Sequence, residues 1–167
     1  MFRSFVCLVL TAVVLIPVSV HAQEVIGQIE VRGAERVDAT TVLSYLDLKV
    51  GDEINRNSLD RALKSLFSTG LFADVALDKQ GNTLIVNVVE NPIINQIAFE
   101  GNDKIEDDEL QAEVQLRPRQ VFTRTKVQSD VTRLYQIYRR NGRFSANIEP
   151  KIIKLDQNRV NLVFEID

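Results

Sequence analysis

Hydrophobic and polar positions along this chain change period in a fixed order, and the order occurs twice. Ile29-x-Val31 alternates with period two and runs into Gly33, the pattern of a short strand entering a turn. Apolar residues then fall at helical spacing, with Val42 and Leu46 behind Asp38, a candidate N-cap. Leu59, Leu63, Leu66 and Phe67 follow at i, i+4, i+7 and i+8, the stripe of a longer amphipathic helix. Gly70 is placed to end it in the left-handed conformation. Two strands come next, Phe72 to Leu77 and Leu84 to Val89, around a turn at Asp78-Lys79-Gln80-Gly81-Asn82.

The second pass opens with Ile97-x-Phe99 and Gly101. Glu106-Asp107-Asp108-Glu109 sit where the first turn of a helix dipole favours negative charge, ahead of Leu110 and Val114. Val127, Val131, Leu134, Tyr135 and Tyr138 repeat and extend the long stripe, and Gly142 ends it. Phe144 to Leu155 and Val160 to Ile166 form the second pair of strands, around Asp156-Gln157-Asn158. Residue by residue, Gly33 matches Gly101, Arg36 matches Lys104, Leu48 matches Leu116, Ile54 matches Phe122 and Leu66 matches Leu134, all 68 apart. After four inserted residues Gly70 matches Gly142 and Phe72 matches Phe144. Internal repetition of this kind marks a modular architecture.

The order strand, helix, helix, strand, strand predicts an α+β fold in each unit, two helices on a small sheet. The units span residues 23–91 and 92–167. Only Glu90-Asn91-Pro92 lies between them, too little for free tumbling, which predicts a stiff, bent rod. The last strand of each unit is almost wholly apolar and so central. The strand before it carries Asp74 in the first unit, and Pro150 and Lys151 in the second, the marks of an edge. Such an edge is either protected from aggregation or open to an extended peptide.

Residues 1–22 read as a leader rather than as part of the fold. Arg3 precedes an apolar run from Phe5 to Val18, and Val20-His21-Ala22 fits a small-residue cleavage site before Gln23. The run is short for a membrane span; the alternative is an uncleaved anchor. The lone Cys7 and lone His21 both fall in this segment. Without it the chain has no thiol or imidazole, and no disulfide framework. Removing it also takes away Arg3 and no acid, so the remainder is one unit more negative than the −3 of the whole chain. That balance argues against nucleic acid as a partner.

No residue constellation suggests catalysis, since neither His nor Cys is left to activate a nucleophile. The acidic run at Glu106–Glu109 lacks the glycine and alternate spacing of a calcium loop, so neither metal nor cofactor is expected. Charge is segregated in the second unit. Arg117, Arg119, Arg124, Lys126, Arg133, Arg139, Arg140 and Arg143 face one acid, Asp130. Two readings stand: a solvated helix face, partly paired to the acidic helix, or a contact for anionic lipid headgroups or an acidic partner.

Several stretches together resemble a known family. "IGQIEVRGAERVDATTVLSYLDLKVGD", "LKSLFSTGLFADV", "VVENPIINQIAFEGN", "LYQIYRRNGRFSANIEPK" and "NRVNLVFEI" are similar to the N-terminal region of the outer-membrane protein assembly factors. There a signal peptide precedes a string of periplasmic POTRA (polypeptide-transport-associated) domains and a membrane β-barrel. The resemblance covers the whole chain and implies tandem POTRA domains, each a three-stranded mixed sheet packed on two helices with the last strand central. It implies function by partnership and no enzyme activity. The partners would be unfolded outer-membrane protein precursors, accessory assembly lipoproteins and a periplasmic chaperone, with an anionic lipid surface as a further contact. The protein would be exported to the periplasmic face of the outer membrane. Strand addition would fall on the edge at Val75, Ala76 and Leu77 in the first unit, with Ile152 and Ile153 in the second. Arg124, Lys126, Arg133, Arg139, Arg140 and Arg143 are the candidates for an anionic contact. Two-partner secretion and translocation-and-assembly transporters share the fold. A cell-division POTRA protein differs in its uncleaved tether and, usually, a single unit.

Overall fold

The computed structural model of the protein describes residues 25–167, so the expected leader, with Cys7 and His21, lies outside the described residues. The first unit runs β1 (Gln28–Arg32), α1 (Ala39–Tyr45), α2 (Arg56–Ser68), β2 (Phe72–Gln80) and β3 (Thr83–Glu90). The second repeats it as β4 (Ile93–Glu100), α3 (Asp107–Glu113), α4 (Arg124–Arg140), β5 (Ile148–Leu155) and β6 (Arg159–Ile166). Each sheet has three strands, in the orders β1-β3-β2 and β4-β6-β5. The first strand pairs parallel to the last and the middle one antiparallel. Both sheets are therefore mixed, with the apolar last strand in the centre, as expected.

Two separate cores follow from the repeat. Val42, Leu46, Leu66, Leu84, Val86 and Val88 fill the first, and Leu110, Val114, Leu134, Leu162, Phe164 and Ile166 the second. The matched pairs Leu46 and Val114, and Leu66 and Leu134, are all essentially inaccessible. Phe99 and Phe164 stack with ring centroids 5.7 Å apart, adding to the apolar burial that holds the second sheet. The repeated glycines have a shared cause. Gly33 and Gly101 adopt φ of +80° and +79° as the first strand leaves the sheet. A Cβ there would meet the Val88 carbonyl oxygen at 2.2 Å or the Ile166 carbonyl oxygen at 2.1 Å, so only glycine fits.

The helices follow the expected stripes with one exception. Leu66 is buried and Leu59 and Leu63 pack half-buried against the core, but Phe67 is exposed, and Ser58 and Ala62 join Leu66 as the fully buried line of α2. Small residues on that line let the helix lie close to β2. Ser58 is buried because it completes a reciprocal cap with Asn55: Ser58 N–H donates to Asn55 Oδ1, and Asn55 N–H to Ser58 Oγ. Asp38 precedes α1, but its side chain makes no capping bond. Gly70 and Gly142 follow α2 and α4 with positive φ, as expected.

The hairpins also differ from the sequence reading. Asp78, Lys79 and Gln80 belong to β2, and the turn is only Gly81-Asn82. In the second unit the edge strand starts at Ile148, leaving Phe144 outside it and highly exposed. Phe72 is buried in the first core, so the repeat breaks at this pair.

Candidate interaction surfaces

Both middle strands lie at sheet edges, and their registers decide which backbone groups face outward. In β2 the two-residue turn makes Gln80 and Thr83 the bonded pair that closes the hairpin. Bonded and unbonded pairs alternate from there, so Ala76 and Asp78 turn their N–H inward to β3. Val75 and Leu77 turn theirs outward. Val75 N–H is taken by Asp74 Oδ1 at 2.9 Å, as an outward donor can be. Val75 is buried in the first core, Leu77 packs half-buried against it, and Ala76 lies exposed on the opposite face. A register shift between Phe72 and Asp74 bends the start of this edge.

The parity of β5 is set at its start. Asn147 and Asp167 exchange both backbone bonds, at 2.8 and 2.9 Å. Glu149, Lys151 and Ile153 therefore bond inward to β6, while Ile148, Pro150, Ile152 and Lys154 face outward. Pro150 occupies a position where no ladder donor is missed. Ile148 N–H donates to the Tyr135 hydroxyl at 3.0 Å. The N–H groups of Ile152 and Lys154 find no partner among the described residues. Ile152 and Ile153 are both about half exposed, on opposite faces of the sheet. Lys151 lies between Glu149 and Glu165, at 3.6 and 3.3 Å, and the Glu165 carboxylate foremost raises its pKa.

The six candidate anion contacts do not form one patch. Arg124 and Lys126 lie at the start of α4, and Arg139, Arg140 and Arg143 at or beyond its end, about 20–25 Å away at 1.5 Å per residue. Arg140 pairs with Glu113, and Arg133 lies 3.9 Å from Asp130. Asp130 itself is wholly buried. Its carboxylate accepts the N–H groups of Gln115 and Leu116 at 2.8 and 2.9 Å, fixing the segment between α3 and α4. The basic last turn of α4 also complements the helix dipole. The charge density of the linear sequence is thus partly structural.

A second buried carboxylate stands at the joint. Glu90 ends β3 with its side chain only 3% exposed. Its Oε1 accepts N–H groups from Glu35, Arg36 and Val37, at 2.9, 2.8 and 2.8 Å. Its Oε2 lies 3.2 Å from Arg36 Nη2. Burial alone would raise the Glu90 pKa. The three donors and the guanidinium outweigh it and hold the carboxyl below the usual range. The linker is bonded on both sides. Asn91 N–H donates to the Leu71 carbonyl and Asn91 Nδ2 to that of Gly70, while Arg36 donates to the Asn91 carbonyl. From the second unit, Phe122 N–H donates to the Pro92 carbonyl and Asn158 Nδ2 to that of Glu90. Sequence reading missed Glu90 and Asp130, because each partner set lies far along the chain.

Beside the joint, a cleft of about 880 Å³ opens between the units, bordered by the end of α2, the start of α4 and the end of β5. No cluster of His, Cys, Asp or Glu among the described residues could hold a metal ion. No helix among them is long and apolar enough to cross a membrane.

Two α+β units, each with a mixed three-stranded sheet whose last strand is central, are joined by a hydrogen-bonded linker. The chain belongs to the POTRA family, whose model, described as a surface antigen variable number repeat, matches residues 24–91 and 92–167. It is similar to the outer membrane protein assembly factor BamA of Neisseria meningitidis, 32% identical over 145 residues that cover 85% of this chain and 18% of that protein. The BamA of Nitratidesulfovibrio vulgaris is 27% identical over 76% of this chain and 17% of its own length. The chain thus spans less than a fifth of these relatives. Its fold is that of the N-terminal domain of Omp85 from Thermosynechococcus elongatus, with a TM-score of 0.63 at 19% identity over 84% of this chain and 61% of that one. POTRA domains 3–5 of Haemophilus influenzae BamA align with a TM-score of 0.53 at 14% identity, over 87% and 66% of the two chains.

Proposed function

We propose that this chain is the periplasmic arm of an outer-membrane protein assembly factor. It receives unfolded β-barrel precursors along the edges of its sheets and docks accessory lipoproteins and a periplasmic chaperone. Residues 1–22 direct its export, and the arm consists of units 23–91 and 92–167. The reading rests on family membership, on the name carried by the similar BamA proteins, and above all on one observation. Each unit leaves one face of a middle strand unpaired, at Val75-Ala76-Leu77 and at Ile152-Ile153. Backbone pairing at such an edge demands little of a partner's sequence, so one arm can serve many precursors. Each contact is weak, because the precursor loses conformational entropy on docking; several units acting together supply useful affinity. Anionic headgroups near the membrane give the ends of α4 a second, salt-sensitive contact.

Site-specific photo-crosslinking tests this reading. A crosslinker at Ala76 or Ile153 should capture an unfolded barrel precursor, and one at Glu109 on α3 should not. Capture only from the helices would refute strand addition and leave the family assignment untouched.

A further inference from the structure

We propose that the cleft between the units, bounded by the outer edge of β5, is a binding site for an extended peptide strand that carries carboxylates. The inference rests on the strand-addition reading and says which edge is used and what it selects.

Three observations converge on this cleft. The first is its backbone. The outward N–H groups of Ile152 and Lys154 have no partner among the described residues, and Ile152, Lys154 and Leu155 line the cleft. A ladder of alternating donors and acceptors calls for another polypeptide strand, which a lipid headgroup does not supply. The second is its apolar part. Phe67 and Val89 from the first unit and Ile152 from the second line the cleft and are 45%, 57% and 44% exposed. Large apolar side chains gathered in one concave site favour an occupant that covers them. The third is its charge. Arg124, Lys126, Lys154 and Arg159 line it, and none is held in an ion pair among the described residues. The one acid in the lining, Glu90, has its carboxylate committed to the 35–37 backbone and Arg36. The cleft therefore carries four cations without a free counter-charge, which selects acidic side chains.

The β2 edge, which keeps the outward Leu77 N–H, is less suited to an acidic strand. Its Val75 N–H is already occupied by Asp74, and Asp78 adds a second acid, itself accepting from Asn87 Nδ2. An acidic strand meets like charge there. Side chains of an added strand alternate between the two faces of the sheet. A fitting ligand thus places carboxylates and apolar groups on alternate residues, all turned toward the cleft.

NMR titration of the ¹⁵N-labelled protein with two synthetic strands decides the matter. One ten-residue peptide alternates Glu and Leu on one face with Thr on the other, and its twin replaces each Glu by Gln. The acidic peptide should shift the amides of residues 150–155 together with those of Phe67, Val89, Arg124 and Lys126. The Gln peptide should bind about threefold to tenfold more weakly at low salt, and the difference should shrink as salt rises. Arg124→Gln with Lys126→Gln should remove the same preference. Lys154→Pro takes away an outward donor but no bond to β6, so it should leave the fold intact and abolish the shifts. Equal binding of the two peptides, or shifts confined to residues 74–79, would overturn the cleft inference while leaving strand addition standing. Shifts at no strand edge would overturn both. Displacement of the acidic peptide from this cleft by anionic phosphatidylglycerol vesicles, with no displacement by phosphatidylcholine, would assign it to lipid instead.

Discussion

Removing the Glu90 carboxylate tests how a unit of about 70 residues is held together. One oxygen gathers three consecutive backbone N–H groups and the other faces Arg36. Together they pin the β1–α1 connection to the end of the central strand. Truncation leaves these donors without their acceptor in a part-buried site. Leaving several part-buried donors without their acceptor costs about 2–4 kcal/mol. A domain of this size holds only about 3–10 kcal/mol in total, so Glu90→Ala should strongly destabilise the first unit and leave it partly unfolded. Glu90→Gln is milder. Its amide oxygen can still accept, but without charge, and its NH₂ confronts the Arg36 guanidinium. About 1–3 kcal/mol is expected. The pH dependence follows from the lowered pKa. As pH falls, the unfolded chain takes up the proton before the folded one does. The stabilisation is therefore whole at neutral pH. It fades as pH falls through the ordinary glutamate value of 4.5 and is lost below the depressed folded value. Urea unfolding at pH 7 and pH 3, with amide exchange resolving the two units, measures both effects. If Glu90→Gln matched the parent stability at pH 7, or lost as much stability on acidification, the reasoning would fail.

Other substitutions probe the remaining features. Gly101→Ala should destabilise the second unit by about 2–4 kcal/mol through the Ile166 carbonyl clash and positive φ, whereas Gly142→Ala, with open space around it, should cost about 1–2 kcal/mol from backbone strain alone; thermal melts compare them. Leu66→Ala and Leu134→Ala should each cost about 2–5 kcal/mol in denaturant titrations. Asp130→Ala should cost about 2–4 kcal/mol by orphaning the Gln115 and Leu116 donors, and a neutral effect would mean that water replaces the carboxylate. Ala76→Pro should unfold the first unit, because it removes an inward donor from the ladder to β3; a native circular dichroism spectrum would show the register argument to be wrong.

What could be read from the sequence was whatever repeats at short range. The Gly33 and Gly101 turns, the apolar central strands and the Leu66 and Leu134 stripes each depend on neighbours within a few positions. They are also written twice. Asp78, Lys79 and Gln80 look like a loop because they are polar on both faces of an exposed edge, yet they are strand. Phe67 fits the helical stripe by spacing, and Leu59, Leu63 and Leu66 of that stripe do pack inward, but the most buried line of α2 is turned slightly toward Ser58 and Ala62, which leaves Phe67 outside. Glu90 and Asp130 carry no local signal at all, since an isolated acid in sequence says nothing of backbone donors 53–55 or 14–15 residues away. The basic run is dense along the chain, but α4 carries its two ends far apart. The edge strands were legible by their charge and proline, whereas the outward or inward sense of each N–H needed the hairpin register.

The bonded linker bears on which changes between the units evolution can accept. Glu90 and Asn91 are anchored in the unit that precedes them, and Pro92 in the unit that follows. At this joint each unit therefore supplies one half of the coupling. Inserting a single residue between Asn91 and Pro92 would pull the two halves out of register. Drift in linker length is thereby resisted at this joint, and the relation between the two units is inherited with the residues on both sides of it.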